Sequence, residues 1–177
     1  MPRTLLLLLI LALSCNAVRA SNVYQEPEAF LADSFNGEVP EPALIWLTGK
    51  RKEVVKDILG HRYATLRVRY WLAQHRSAWI LEEVGKDLPI TIGVVINEGR
   101  LERIRVLVFR ESRGWEIRHP FFTDQFKDAS LDQEGALDRS IDGIAGATLS
   151  VRAMKKLAAM ALYLDAELRA ADVAPAP

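Results

Sequence analysis

The stretch Ile141-Asp142-Gly143-Ile144-Ala145-Gly146-Ala147-Thr148-Leu149-Ser150 gathers a carboxylate, two hydroxyls and a run of small side chains just ahead of the most regular helical pattern in the chain. In that pattern Met154, Leu157, Ala161, Leu164 and Leu168 recur at alternating steps of three and four, while Arg152, Lys155, Lys156, Glu167 and Arg169 take the other side. The spacing predicts an amphipathic helix from about Val151 to Ala171 with one stripe on a core. Thr148 then stands at a helix N-terminus, where unpaired backbone N–H groups and a partial positive charge are presented. Two chemistries are open there: the hydroxyl of Thr148 or Ser150 caps the first turn, or the helix end holds a phosphate. Gly146 and Ala147 carry almost no side chain, so a phosphate or a modifying enzyme can approach the backbone closely.

As a string, Asp142-Gly143-Ile144-Ala145-Gly146-Ala147-Thr148 resembles the flavinylation motif of the FMN-binding domain family, which includes the flavin subunits of the Rnf and Na+-pumping NADH:quinone reductase complexes. The resemblance implies that Thr148 carries FMN through a phosphoester made by a dedicated flavin transferase, with Asp142, Gly143, Gly146, Ala147 and Ser150 around the attachment point. Ala145 departs from the family, which usually has Ser or Thr at that place. Lys155 or Lys156, a turn or two later, would add Coulombic attraction to the phosphate.

A looser likeness lies at Arg110-Glu111-Ser112-Arg113-Gly114-Trp115-Glu116, where Glu111, Ser112 and Gly114 match a Glu-Thr-Pro-Gly segment of the family and Arg113 replaces its Pro. It implies the other wall of the cofactor site. Gly114 would admit the isoalloxazine, Trp115 would stack on it, and Glu111 or Ser112 would hydrogen-bond its polar edge, where charge tunes reduction potential. Read without the family, the segment is equally a tight turn with a half-buried Trp115 anchoring a loop.

The elements that must position these residues follow from periodicity. From Thr65 the period is two: Leu66, Val68, Tyr70 and Leu72 fall on one face, Arg67, Arg69 and Trp71 on the other. Ala73 to Ser77 is a turn and Ala78 to Val84 a returning strand. Ile90, Ile92, Val94 and Ile96 alternate up to Asn97-Glu98-Gly99, a turn signal, after which Leu101 to Phe109 runs back. Strands in meander order followed by a helix predict an α+β domain, an antiparallel sheet with helices against one face. Before it, residues 21–64 read as a helical extension punctuated by Pro27, Pro40 and Pro42, with helices at Glu28 to Phe35 and Lys50 to Leu59 and Gly60 as a C-cap. Residues 65–171 form the domain that the resemblance covers, and 172–177 a flexible tail. His119-Pro120 opens a short helix, Phe121 to Asp128, and the acidic linker Asp128, Asp132, Glu134 and Asp138 is expected to be solvated.

Composition narrows the function. Lys and Arg total 23, as do Asp and Glu, so no basic footprint for nucleic acid exists. Met1 to Ala20 has the positive start, apolar run and small-residue cleavage site of an export signal, with lipidation at Cys15 as the lesser alternative. Cys15 is the only cysteine, which rules out a disulfide framework, Cys-x-x-Cys-His haem attachment and a cysteine-ligated iron–sulfur cluster. Electrons, if moved, need an organic cofactor. His61, His75 and His119 show no metal-binding spacing, no Gly-x-Gly-x-x-Gly follows a strand, and no acid/base pair marks an enzyme. The resemblance therefore implies a periplasmic electron carrier with covalent FMN, served by a flavin transferase and by redox partners such as cytochromes or quinone-linked reductases. The alternatives are an interaction module with Thr148 as a plain cap, which Ala145 favours, and a reductase with non-covalent FMN.

Overall fold

The computed structural model describes residues 22–173, the side chains of 172 and 173 excepted. The expected export signal with Cys15 and the tail from 174 onwards lie outside the described residues. Six strands, β1 (Asn22–Val23), β2 (Ala43–Trp46), β3 (Arg67–Ala73), β4 (Arg76–Val84), β5 (Pro89–Asn97) and β6 (Arg100–Phe109), form one antiparallel sheet in the order β1-β6-β5-β4-β3-β2. The helices are α1 (Pro27–Ser34), α2 (Gly49–Leu59), the single turn α3 (Pro120–Thr123) and α4 (Thr148–Val173), with 3-10 turns at Trp115–Arg118 and Asp124–Phe126. The fold is α+β, as the periodicity predicts.

The β3–β6 meander forms for local reasons. Gln74 takes a positive φ of 53° in the β3–β4 turn, and Glu98 and Gly99 (φ 52° and 78°) make the tight two-residue turn between β5 and β6 that right-twisted strands favour. The extension before Thr65 is helical as expected, and Gly60 ends α2 in the left-handed conformation (φ 78°) with its N–H on the Lys56 carbonyl. It also supplies both edge strands, β1 beside β6 and β2 beside β3. Four residues, Ala-Leu-Ile-Trp, are too few for a period to announce β2; pairing with β3 makes it a strand.

The expectation of helices against one face is corrected by α1, which lies on the opposite face from α4. Phe30, Leu31 and Phe35 pack there with Trp71, Ala78, Val95, Leu107 and Val108. On the other face α2 and α4 close the main core over Val55, Leu59, Trp79, Ile92, Val94, Leu157 and Leu164. Strand β5 is therefore covered on both sides, and Thr91, Gly93 and Val95 are as buried as the alternating Ile90, Ile92, Val94 and Ile96. Gly93 marks where α1 sits: a Cβ there would meet the Phe30 ring at 2.5–2.7 Å. The segment expected as one helix over 121–128 breaks into α3 and a 3-10 turn. Phe122 and Phe126 enter the core, while Phe121 is 63 % exposed and stacks on His119.

A polar network fastens the far half of α4. Asp165, buried, accepts the Ser77 hydroxyl at 2.6 Å and Arg169 Nε at 2.7 Å, and Trp79 Nε1 donates to Ser77 Oγ at 2.9 Å. Each buried polar atom thereby has a partner, the condition for such a network to hold an element in place. Among the described residues no helix is long and apolar enough to cross a membrane.

Phe30 is fully buried and cannot yield to an added methyl group. Gly93→Ala is expected to lower stability by about 1 to 3 kcal/mol through overpacking, read as a shifted urea midpoint at unchanged slope.

Candidate functional site

The site begins with how α4 starts. Ile144-Ala145-Gly146-Ala147 closes a turn, with the Ala147 N–H on the Ile144 carbonyl at 3.0 Å and Gly146 at φ 82°, the sign that the third position of a type II turn requires. The Val151 N–H then bonds the Ala147 carbonyl at 2.9 Å, so Ala147 is the N-cap and Thr148 the first helical residue. The capping alternative is corrected here: the cap position holds a methyl group. Thr148 is exposed, and its hydroxyl makes no hydrogen bond among the described residues. The N–H groups of Thr148, Leu149 and Ser150 have no acceptor among them either.

The loop after β6 reaches this helix end. Gly114, buried at φ 87°, lies so close that a Cβ would meet Ser150 Oγ at 2.8 Å and the Ala147 Cβ at 3.3 Å. Lys86, Glu111, Ser112 and Arg113 from the strand ends and Gly146 to Ser150 from the helix start line a cleft of about 540 Å³. Two groups of residues far apart in sequence thus form one polar pocket over unpaired N–H donors.

Glu111 has a task of its own. Its Oε1 accepts the N–H groups of Lys86, Asp87 and Leu88 at 2.6, 2.6 and 2.9 Å, stapling the β4–β5 turn against the loop. Burial alone would raise its pKa, but these three donors together outweigh that and hold the carboxyl below its ordinary range. Ser112 and Arg113 remain exposed in the cleft and unpaired among the described residues. Trp115 lines neither this cleft nor the larger one below: it is 42 % exposed, edge-on to His119 at 5.5 Å, with Arg118 5.1 Å from its ring centre. Asp142 is exposed and held by its backbone, its N–H donating to Gln125 Oε1 at 2.7 Å.

Thr148 also borders a second cleft, of about 910 Å³, which the sequence did not reveal. Val54, Asp57 and Ile58 of α2 form one wall, and Val151, Arg152, Lys155, Ala159 and Tyr163 of α4 the floor. The third side is the acidic linker. Its Asp128, Asp132, Glu134 and Asp138 are exposed, as expected of a solvated surface, and it closes on itself through a Leu131–Leu137 bridge, with Asp132 Oδ1 accepting the N–H groups of Glu134 and Ala136. Asp138 accepts both the hydroxyl and the N–H of Ser130, which with Arg139 hold its carboxyl below the usual range. Gly143, in the motif, faces this cleft.

Cations in the larger cleft divide into used and unused. Arg139 is spent on Asp138 and on the carbonyls of Lys127 and Asp128. Lys156, expected beside the phosphate, instead donates to the Leu59 carbonyl at the end of α2 and approaches Glu83 at 3.9 Å. Glu83 is buried and takes His61 Nε2 at 2.8 Å, while His61 Nδ1 faces the Arg62 carbonyl at 2.9 Å. Both ring nitrogens of His61 thus look at acceptors, first the carboxylate and then the carbonyl, and this raises its pKa. Arg152 and Lys155 have no partner among the described residues.

Residues 85–163 match the model of the FMN-binding domain family. That segment is similar to FMN-binding domains. Comparison with curated proteins and with solved structures gives no match. An FMN-binding domain makes this a flavin-binding protein, and its residues fit the cofactor: a glycine cradle at Gly114, a helix end with unpaired donors, and an unengaged hydroxyl between two clefts. The match starts in the β4–β5 turn and ends at Tyr163, so α2, one wall of the larger cleft, lies outside it.

A Glu111→Gln variant keeps one carbonyl acceptor and loses the charge that three donors share. It is expected to be less stable at neutral pH by about 1 to 2 kcal/mol. Because the Glu111 pKa is depressed in the folded state, its stabilisation is present above the unfolded pKa and is lost as pH falls through the folded one. The gap between wild type and variant in urea unfolding should therefore close in acid.

Proposed function

We propose that this protein is an exported electron carrier that holds FMN as a phosphoester on Thr148. The observation that carries the reading is the combination at the start of α4: an exposed threonine hydroxyl with no partner among the described residues, on a helix whose first N–H groups are uncapped and open into a polar cleft. When bound, the flavin supplies reversible one- or two-electron chemistry. The chain's own residues do the rest.

A flavin transferase installs the group at Thr148 from a phosphoanhydride of FMN: the Oγ1–phosphorus bond forms as the anhydride P–O bond breaks, the other phosphate leaves with the hydroxyl proton, and the added mass is that of FMN less water. The phosphodiester keeps one negative charge. The N–H groups of Thr148, Leu149 and Ser150 would hold it, with Arg113 and Lys86 lining the same cleft, and the helix end would contribute roughly 0.3 to 1 kcal/mol if exposed. That sum is small, and the covalent bond is what retains the cofactor on a protein that has left the compartment where FMN is made. Gly114 excludes side-chain bulk between loop and helix, and Glu111 holds the loop at that distance. No acid/base pair adjoins Thr148, which fits electron transfer to cytochromes or quinone-linked reductases in the periplasm better than turnover of a small substrate.

Co-expressed with a flavin transferase in a secreting host, the wild type is expected to stay fluorescent in a denaturing gel and to gain the mass of FMN less water. Thr148→Val should lose both. Fluorescence that survives denaturation in the valine variant overturns attachment at this residue.

A further inference from the structure

Resting on attachment at Thr148, we propose that the isoalloxazine ring lies in the larger cleft, between α2 and α4, so that α2, which precedes the matched domain, forms part of the flavin site. Thr148 borders both clefts, so the tether reaches either one and the chemistry of the walls decides. The smaller cleft offers backbone N–H groups, Lys86, Ser112 and Arg113, which suit a phosphate. The larger offers Val54, Ile58, Ile141, Val151 and the ring of Tyr163, which suit a flat aromatic system with a polar rim. Its volume of about 910 Å³ against about 540 Å³ points the same way.

The floor has a matching order. Thr148, Arg152, Lys155 and Ala159 succeed one another at steps of four, three and four, so attachment point, two cations and a small residue share one face of α4. Arg152 and Lys155 have no partners among the described residues, whereas Arg139 and Lys156 of the same cleft are engaged. A flavin gains negative charge on reduction, so an unpaired cation beside the ring favours the reduced form and raises the potential. Trp115, the aromatic expected to stack, borders neither cleft.

The test uses flavinylated full-length protein carrying Ile58→Trp or Tyr163→Phe. An indole or phenol against the ring quenches flavin emission. Ile58→Trp should lose most of its emission and Tyr163→Phe should brighten. Unchanged emission in either variant overturns the assignment. If Ile58→Trp fails to fold, Tyr163→Phe, which keeps the ring and its packing, decides alone. Lys155→Gln should shift the potential to more negative values; an unchanged potential also overturns the assignment. Mass spectrometry separates the two levels: wild type without added FMN mass sinks the attachment and this inference with it, whereas attached FMN with unchanged emission and potential in the variants sinks the ring seat only.

Discussion

The loop after β6 and the first turn of α4 meet at a distance that only a glycine permits. A Cβ at Gly114 would lie only 2.8 Å from Ser150 Oγ and 3.3 Å from the Ala147 Cβ, so any other residue would displace the Ser150 hydroxyl or push the loop off the helix. The positive φ of Gly114 adds a second reason for the same residue. Everything at the site follows from that contact: Ala147 is buried as the N-cap, Ser150 is turned inward, and Thr148 is left outside between two clefts. The carboxylate of Glu111 keeps the loop in place from behind by gathering three N–H groups of the neighbouring turn.

A second constraint holds α2 against α4. Lys156 reaches from α4 to the last carbonyl of α2, whose end would otherwise present unpaired acceptors, and Glu83 balances that charge together with His61. Because Glu83 is buried, the cluster is rigid where it meets the sheet and wet at His61, which is about half exposed. The larger cleft opens beside this tie. Its volume therefore depends on an ion cluster at one end of α2 and on the closed acidic loop at the other side, two features that share no sequence motif.

How much of this was legible varies by element, for physical reasons. Helix α4 and the β5–β6 hairpin could be read because each repeats its period over many residues and ends in a recognisable turn or cap. The second face of β5 could not, since its covering helix α1 lies far off in the chain and Gly93 records the contact only as a missing side chain. Glu111 was noticed and Trp115 was noticed, yet neither partner was visible. One carboxylate turns to a neighbouring hairpin and one indole turns outward to His119 and Arg118. The acidic linker is solvated as its composition implies, but the Asp side chain-to-backbone bonds that close it leave no periodicity behind.

Sequence by itself determined the small-residue loop before α4, that helix and the meander, because those rest on residues close together whose types and spacing carry their own physics. It also excluded a cysteine-ligated iron–sulfur cluster, since one cysteine cannot supply the thiolates. Tertiary structure alone decided that the cap position is Ala147, that Gly114 lies on Ser150, which cations are left unpaired, and that a second, larger cleft opens beside Thr148. Each of these depends on which distant segments meet, and burial and hydrogen-bond satisfaction between segments remote in sequence are properties of the packed chain that no local pattern encodes.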